Sequence, residues 1–476
     1  MYRHVLCVYP YRRELGRDAY FPPLGLECVA GVLEKHAESI DVVDLRRERK
    51  RTVDFLRPDT DLVAFSVNWD CEGDFVREEI RSVPSGTLTI VGGRHATNDP
   101  ESILSDCPNV DVLVRGDGEE IVEELASGRP LEDVAGISFR NGRAPTPAPS
   151  SGAGSPPEAP GSKNGFHHNP VRQPGPARDD LWPNRRLRRY EYTLGVEGFS
   201  ASIGLDSVAS SRGCPFNCTY CSFSRNPWGT KRNWSARSPE SVVDELEDIE
   251  AGVVAFTDDN FTHDMGRVER ICDLIAERGI KKRYVVNARL EIARRPDVLR
   301  KMERAGFSML LLGIESTQDR TLRSMRKGFD TAKIREYFRV LRRSSMILHG
   351  YFIVGNIGES EKEMLSISRF AHELGVDSLG LCILRDSPHS GMAELVAASP
   401  GYHIDALRRV YSDKYSSSFL RNLRRRINRE FYTPGHVLHV LKKALRNKVL
   451  TPSMLARLPG FLIYKGLRRG LRKVFG

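Results

Sequence analysis

Nowhere in its 476 residues does the chain carry an uninterrupted apolar stretch near the roughly 18 residues that a membrane-spanning helix needs. It is therefore not expected to cross a bilayer. The first residues also lack the pattern of a secretory leader, because Arg3-His4-Val5-Leu6-Cys7-Val8 runs straight into Pro10 with no small-residue cleavage site. The expected location is the cytoplasm. Cysteine is not laid out as a disulfide framework: the count is nine, an odd number, and Cys7, Cys28, Cys71, Cys107, Cys272 and Cys382 sit in apolar or helical contexts, reading as ordinary buried thiols. The other three, Cys214, Cys218 and Cys221, have no fourth cysteine or histidine pair at suitable spacing.

What is present is enough apolar material, 40%, to build more than one core, and a chain of this length is expected to form two or three domains. The net charge of +10 is unevenly placed: residues 401–476 hold 18 Lys and Arg against 3 acidic residues, leaving 54 against 59 in the remaining 400. The basic character belongs to the C-terminal part.

Residues 1–142 alternate short apolar runs (5–9, 40–43, 62–66, 87–91, 110–114) with amphipathic stretches (24–38, 72–83, 119–126), the pattern of a parallel sheet with helices on both faces. A doubly wound, Rossmann-like α/β domain is expected, with ligand loops at 66–74, 92–99 and 116–119, outside the carboxyl ends of the strands. Residues 143–178, rich in Pro, Gly, Ser and Ala, read as a flexible linker, with His167 and His168 solvent-exposed inside it. Residues 179–400 again alternate strands (207–210, 253–257, 283–287, 308–312, 349–354, 378–383) with helices (239–250, 265–278, 296–305, 331–343, 361–374), a partial (β/α)6 barrel resembling a TIM barrel. Residues 401–476 form a basic helical extension.

The three remaining cysteines stand in RGCPFNCTYC, a C-x3-C-x2-C loop directly after the first barrel strand, at the end where barrel chemistry gathers. Structural zinc takes four protein ligands, so the missing fourth ligand argues against it. A redox dithiol needs only Cys218 and Cys221 and leaves Cys214 unexplained. Three thiolates on a 4Fe–4S cubane leave one iron open to a small molecule.

This loop resembles the cluster loop of radical S-adenosylmethionine (SAM) enzymes, and the N-terminal segment resembles the cobalamin-binding domain that often precedes it, over residues 1–395 together. The resemblance implies that Cys214, Cys218 and Cys221 bind the cluster and that SAM chelates the fourth iron. Cleavage of SAM then gives a 5′-deoxyadenosyl radical that abstracts hydrogen from an unactivated carbon. It also implies a reductant such as flavodoxin or ferredoxin. Phe216 and Tyr220 are expected to shield the cluster. Thr257-Asp258-Asp259-Asn260-Phe261 matches the segment facing the methionine amino group, with Asp259 the candidate and a helix cap the alternative. Arg289 is placed to reach the methionine carboxylate, or else to form a salt bridge. Glu315 is the carboxylate for the ribose hydroxyls. Phe352 and Gly355, within Gly350-Tyr351-Phe352-Ile353-Val354-Gly355, pack beside adenine or belong to the barrel core. At the sixth strand Arg385-Asp386-Ser387-Pro388-His389-Ser390-Gly391 departs from the family's Pro-Gly-Thr turn.

In the N-terminal segment, Pro22-Pro23-Leu24-Gly25-Leu26, Val91-Gly92-Gly93-Arg94-His95-Ala96 and Arg115-Gly116-Asp117-Gly118-Glu119 resemble the marks of fused cobalamin-binding domains, making Gly92, Gly93, His95, Gly116 and Gly118 the candidate contacts. The D-x-H-x-x-G motif that supplies a lower axial histidine elsewhere is absent, and His95 is not in that context. Cobalt without a histidine ligand, or a domain that binds nothing, are the two readings. The order of motifs is similar to enzymes acting on lipids or natural products, such as hopanoid methylases. The resemblance thus implies cobalamin-dependent methyl transfer to a hydrophobic substrate. Radical cyclisation or oxidation without methyl transfer, and a non-catalytic redox-signalling cluster, are the alternatives. The stretch FLIYKGLRRGLRKVF puts cations and apolar residues on opposite helical faces, which suits peripheral contact with the inner face of a membrane, or a solvated cap on the barrel. No nucleic-acid fold accompanies the charge.

Overall fold

The computed structural model describes residues 1–12, 21–69, 72–140, 165–196, 199–223, 225 and 228–447, with the backbone alone for 195–196 and 199–202. The chain divides into two compact units: Met1–Tyr192 with Asn226–Thr230, and Thr193–Arg225 with Lys231–Gly476.

The first unit runs β1 (Tyr2–Tyr9), α1 (Leu24–Leu33), β2 (Ala37–Asp44), β3 (Thr60–Ser66), α2 (Gly73–Arg81), β4 (Leu88–Gly92), α3 (Arg94–Asn98), α4 (Pro100–Asp106), β5 (Val112–Val114), α5 (Gly118–Ala126), β6 (Ile137–Arg140) and β7 (Phe166–His168). The sheet order is β2-β1-β3-β4-β5-β6-β7, with the first five strands parallel and the last two added antiparallel. Central strands such as β1, buried at seven of eight positions, read as near-continuous apolar runs because helices cover both faces. This is the doubly wound sheet expected.

The described part of the expected linker, residues 165–178, is tied down. His168 sits in β7 opposite Ser138, whose hydroxyl is 2.7 Å from its Nδ1, and Arg172 pairs with Glu120 and Glu124 at 3.0 and 2.7 Å. His167 and His168 are thus strand residues and not linker, His167 partly covered and His168 exposed as expected. Partial desolvation lowers the His168 pKa and favours the neutral ring. Residues 143–164 lie outside the described residues.

The second unit runs β8 (Thr193–Val196), β9 (Phe199–Val208), β10 (Ser211–Arg212), β11 (Ser235–Ala236), α6 (Pro239–Asp248), β12 (Val253–Phe256), α7 (Met265–Glu277), β13 (Arg283–Ala288) and α8 (Pro296–Ala305). It continues through β14 (Phe307–Glu315), α9 (Asp319–Ser324), α10 (Thr331–Leu341), β15 (Ile347–Val354), α11 (Glu361–Leu374) and β16 (Ser378–Ile383). Last come α12 (Met392–Ala397), β17 (Tyr402–Ile404), β18 (Val410–Ser412), α13 (Ser417–Phe431) and α14 (Pro434–Arg446).

Strands β9, β12, β13, β14, β15 and β16 are parallel neighbours in that order, and β8 pairs antiparallel at the edge, giving an open six-stranded half-barrel. The alternation of side chains divides the sheet into two faces. Tyr284, Val286, Leu310, Leu312, Leu348 and Phe352 are fully buried against the helices. Val285, Asn287, Met309, Leu311, Tyr351 and Cys382 lie on the other face and stay partly open. The apolar side of α13 (Leu420, Leu423, Ile427, Phe431) is buried in the helix-side core, so this part of the basic extension belongs to the barrel. No described helix is long and apolar enough to cross a membrane. The sequence FLIYKGLRRGLRKVF lies outside the described residues.

Candidate active site

The cluster loop leaves β9 through the short β10, which pairs antiparallel with β11. Gly213 follows with φ +79°, and a Cβ there would stand 2.8 Å from the Asn233 carbonyl oxygen, so the turn into Cys214 admits only glycine without strain. Beyond it the loop is held from several sides. The Asp259 carboxylate accepts the Gly213 N–H at 3.1 Å. Buried Asp258 accepts the Ser210 N–H at 3.1 Å and the hydroxyls of Ser210 and Ser211. Lys231 donates to the Pro215 carbonyl and, at 3.0 Å, to Asn217 Oδ1. Thr219 donates its N–H to Met325 O at 3.2 Å and its hydroxyl to Ser324 O at 3.1 Å, tying the loop to the segment after β14.

Cys214, Cys218 and Cys221 are free thiols of intermediate exposure, and Cys221 N–H donates to Cys218 O at 3.1 Å. Burial pushes the Cys221 thiol up to about 12 and raises that of Cys214, with the Cys218 sulfur adding to both. A bound metal ion favours the thiolate and draws off the proton of a thiol that coordinates it. Among the described residues no three His, Cys, Asp or Glu side chains converge on a single ion. A cubane asks something else, one thiolate on each of three irons, and this partly exposed three-thiol loop fits that donor set.

At the end of β14 the register shifts between Gly313 and Glu315, and Glu315 takes φ +71°, a left-handed conformation rare for a glutamate. The bulge delivers its carboxylate to a buried group: Tyr220 Oη donates to Glu315 Oε1 at 2.8 Å, and Lys327 Nζ lies 3.3 Å from the same oxygen. A side chain on Gly313 would occupy the space of both, its Cβ 2.6 Å from Oε1 and 3.2 Å from Nζ. Burial, then the Glu315 charge, raises the Tyr220 pKa well above the usual phenol value. Lys327 carries no local signal that sequence reasoning uses, Tyr220 is expected from sequence only as a shield of the cluster, and their link to Glu315 is visible only in three dimensions.

The other expected contacts divide. Asp259 is turned to the cluster loop, as described. Arg289 lays its guanidinium 3.7 Å from the centre of the Phe216 ring, pairs with Glu291 at 2.9 Å and donates to Lys327 O at 2.6 Å, which puts it beside the cluster loop already engaged. Of its two readings Phe352 takes the barrel core: it is fully buried on the helix side of β15, and strand alternation turns its neighbour Tyr351 to the open face. Gly355, with φ +79°, likewise belongs to the core packing and makes room for Leu420 of α13, whose Cδ1 a Cβ would approach to 2.8 Å. Cys382, expected buried, is exposed on the open face of β16. Cys71 lies outside the described residues.

In the first unit the expected glycines gather at the carboxyl ends of β4 and β5. Gly93 has φ +106°, and a Cβ there would stand 2.6 Å from Val67 O, so the loops after β3 and β4 touch backbone to backbone. Gly92 has ordinary clearance, 3.5 Å from Val114 Cβ, and Gly118 opens α5 with 3.5 Å to Val29 Cγ2. Gly116 lies against the Trp228 ring, 3.0 Å from a built Cβ. His95 is half-buried in the first turn of α3, its N–H donating to Val67 O at 3.0 Å. At Gly93 and Gly116 a larger side chain would therefore meet protein atoms already in place.

Two family models match the chain in tandem: B12 binding domain over residues 17–126 and Radical SAM superfamily over residues 208–371. An uncharacterized methyltransferase of Pyrococcus horikoshii is 26% identical over 479 residues, covering 95% of this chain and 94% of that protein. The hopanoid C-3 methylase of Methylococcus capsulatus is 29% identical over 350 residues, covering 69% of this chain and 60% of that longer protein. Among solved structures, the radical SAM methyltransferase TsrM of Kitasatospora setae, with cobalamin and a [4Fe-4S] cluster bound, superimposes with a TM-score of 0.64 at 19% identity, covering 92% of this chain and 82% of that one. At that identity the likeness is one of fold.

Proposed function

The chain belongs to the radical SAM enzymes fused to a cobalamin-binding domain, and from that membership we propose that it transfers a methyl group to an unactivated carbon of a hydrophobic substrate, a lipid or a natural product. It is an enzyme of the cobalamin-dependent radical SAM methyltransferase type, with a 4Fe–4S cluster, SAM and cobalamin as cofactors. When bound, the cluster supplies the electron that cleaves SAM and cobalamin serves as the methyl carrier, so the protein's task is binding and orientation.

In this reading Cys214, Cys218 and Cys221 would hold the cluster, which would in turn bind SAM at its open iron. Asp258 and Asp259 keep the cluster loop in place. Glu315, fixed by Tyr220 and Lys327, accepts the ribose hydroxyls, and Arg289 faces the methionine end of SAM from beside Phe216. One observation carries the substrate class. The open face of the half-barrel bears Val285, Met309 and Leu311 among Asn287, His349 and Tyr351, and these apolar side chains support a greasy substrate. A low-potential one-electron donor of the flavodoxin or ferredoxin kind completes the system.

The experiment supplies reconstituted protein with cobalamin, reductant, methyl-labelled SAM and candidate hydrophobic substrates, and reads products by mass. A product heavier by one labelled methyl, with S-adenosylhomocysteine and 5′-deoxyadenosine formed alongside, supports the proposal. 5′-Deoxyadenosine without the other two moves the chain to radical cyclisation or oxidation.

Peripheral contact with the inner face of a membrane is part of the same reading. Over α13 and α14 eight Lys and Arg stand against Glu430 alone, and Tyr432, Val437 and Leu438 are exposed among them. Co-sedimentation with anionic vesicles, lost with neutral ones, is the expected result.

A further inference from the structure

The open face of the half-barrel carries a polar pair that none of the expected contacts includes. Strand alternation turns His349 and Tyr351 of β15 to that face together with Ser378, Gly380 and Cys382 of β16. Tyr351 has a glycine opposite it on each side, Gly313 of β14 and Gly380 of β16, while His349 stands between Leu311 and Ser378. The space beside Gly313 is taken up by Glu315 and Lys327. The space beside Gly380 is taken up by the two rings themselves: a Cβ there would stand 2.6 Å from His349 Nε2 and closer still to Tyr351 Cδ1. The missing side chain of Gly380 is therefore what lets both rings lie across β16.

The pair is fixed, and its polar ends are uncommitted. His349 Nδ1 lies 2.8 Å from Ser378 Oγ, and the His349 and Tyr351 rings meet edge to face with centroids 4.7 Å apart. Among the described residues no group hydrogen-bonds His349 Nε2 or Tyr351 Oη, and neither atom is sealed from solvent. Neither ring is charged at neutral pH: burial pushes the His349 imidazole down to about 4, and burial, then the nearby Cys382 and Glu315, raises the Tyr351 phenol. On β14 the same face bears Met309 and Leu311, and the carboxylate above them, Glu315, is already paired with Lys327. A charged substrate group placed here would lose water and gain no counter-charge. An uncharged oxygen would gain two hydrogen-bonding partners on rings that have little freedom left to lose.

We propose that His349 Nε2 and Tyr351 Oη bind an uncharged oxygen of the substrate, a hydroxyl or a carbonyl, and so fix which carbon of an otherwise apolar molecule is presented for methylation. The inference rests on the methyl-transfer reading above and narrows its substrate class: neither a plain hydrocarbon nor an acid, but a greasy molecule with a neutral oxygen. The place of the pair in the barrel suits that role. Tyr351 is paired with Gly313, two residues before Glu315, so an oxygen held there lies roughly 7 Å along the strand from the end proposed to hold the ribose of SAM, a span of several carbon–carbon bonds.

The test measures binding rather than turnover. The full chain with its cluster reconstituted, SAM and cobalamin present and reductant withheld is dialysed at neutral pH against three probes of similar shape: naphthol, naphthalene and naphthoate. The parent is expected to hold naphthol about five-fold tighter than naphthalene, the scale of one net hydrogen bond, and about ten-fold tighter than naphthoate. Tyr351→Phe and His349→Leu are each expected to weaken naphthol about threefold or more while naphthalene stays within about twofold of the parent. His349→Gln, which keeps an uncharged hydrogen-bonding group, is expected to retain the preference for naphthol. Iron content and thermal unfolding check that the variants are folded. A parent that holds naphthol no tighter than naphthalene or naphthoate, or that binds none of the three, overturns the proposal. So do Phe and Leu variants with the parent's preference, or a loss shared by all three probes, which marks the pair as structural. Because no turnover is needed, failure of methyl transfer in the assay above leaves this measurement standing, and failure here leaves methyl transfer to another substrate class standing.

Discussion

Tyr220, the residue just before the last cluster cysteine, donates its phenolic hydrogen to Glu315 Oε1 at 2.8 Å, across 95 residues of sequence. This contact joins the three-cysteine loop, proposed to hold the cluster, to the strand end proposed to hold the ribose of SAM. Lys327 closes the group from the other side, 3.4 Å from the phenol oxygen and 3.3 Å from the carboxylate.

Removing the phenol frees the carboxylate to turn toward Lys327 alone. Tyr220→Phe is therefore expected to weaken SAM binding about ten-fold, the scale of a hydrogen bond to a charged group, with iron content unchanged. Equilibrium binding of SAM beside an iron assay checks it; loss of iron instead would place Tyr220 in cluster retention. Glu315→Gln strips the buried ammonium of its counter-charge and is expected to cost roughly 3 kcal/mol in unfolding free energy as well as SAM binding.

Gly213 is the tightest point of the cluster loop. Gly213→Ala sets a Cβ 2.8 Å from a backbone oxygen at φ +79° and is expected to cost about 1–3 kcal/mol and lower iron retention after reconstitution. Iron per chain after desalting, with a melting curve, reads both effects. Gly86→Ala, where nothing lies within 4 Å of the built Cβ, is the matched control and should change neither.

A pH dependence follows from Glu359, whose Oε2 accepts the N–H groups of Gly355 and Asn356 at 3.1 Å each while Oε1 is buried without a partner. Burial raises its pKa from 4.5 to about 7. Between those values the folded protein keeps this proton and the unfolded chain releases it, so the contribution to stability is complete below about 4.5 and lost as pH rises through 7. The loss approaches roughly 3 kcal/mol. Glu359→Gln, permanently neutral, should remove this decline, giving a flatter stability curve from pH 4.5 to 7 in denaturant titrations. An unchanged slope would assign the decline to other groups.

Much of this was legible in the sequence, for identifiable reasons. The parallel strands announce themselves as apolar runs, so β1, β3 and β4 were expected within a few residues of where they lie. Strands β6 and β7 escaped notice because they are short and separated by a long Pro- and Gly-rich stretch, with their pairing set by tertiary contact. The three cysteines are legible because cluster ligation is written in their spacing. Which of its two readings Phe352 takes is not legible, because Tyr351-Phe352-Ile353-Val354 is a continuous apolar run in which parity, and hence face, does not show. Lys327 and Tyr220 meet across 107 residues, a contact no local pattern encodes.

The most direct measurement is 5′-deoxyadenosine formed by the anaerobically reconstituted chain with reductant, SAM and cobalamin, beside Cys218→Ala treated identically. About four irons per chain and steady 5′-deoxyadenosine formation are expected for the parent, with formation abolished in Cys218→Ala. Cleavage of SAM that survives in Cys218→Ala would contradict the assignment of Cys214, Cys218 and Cys221 to the cluster.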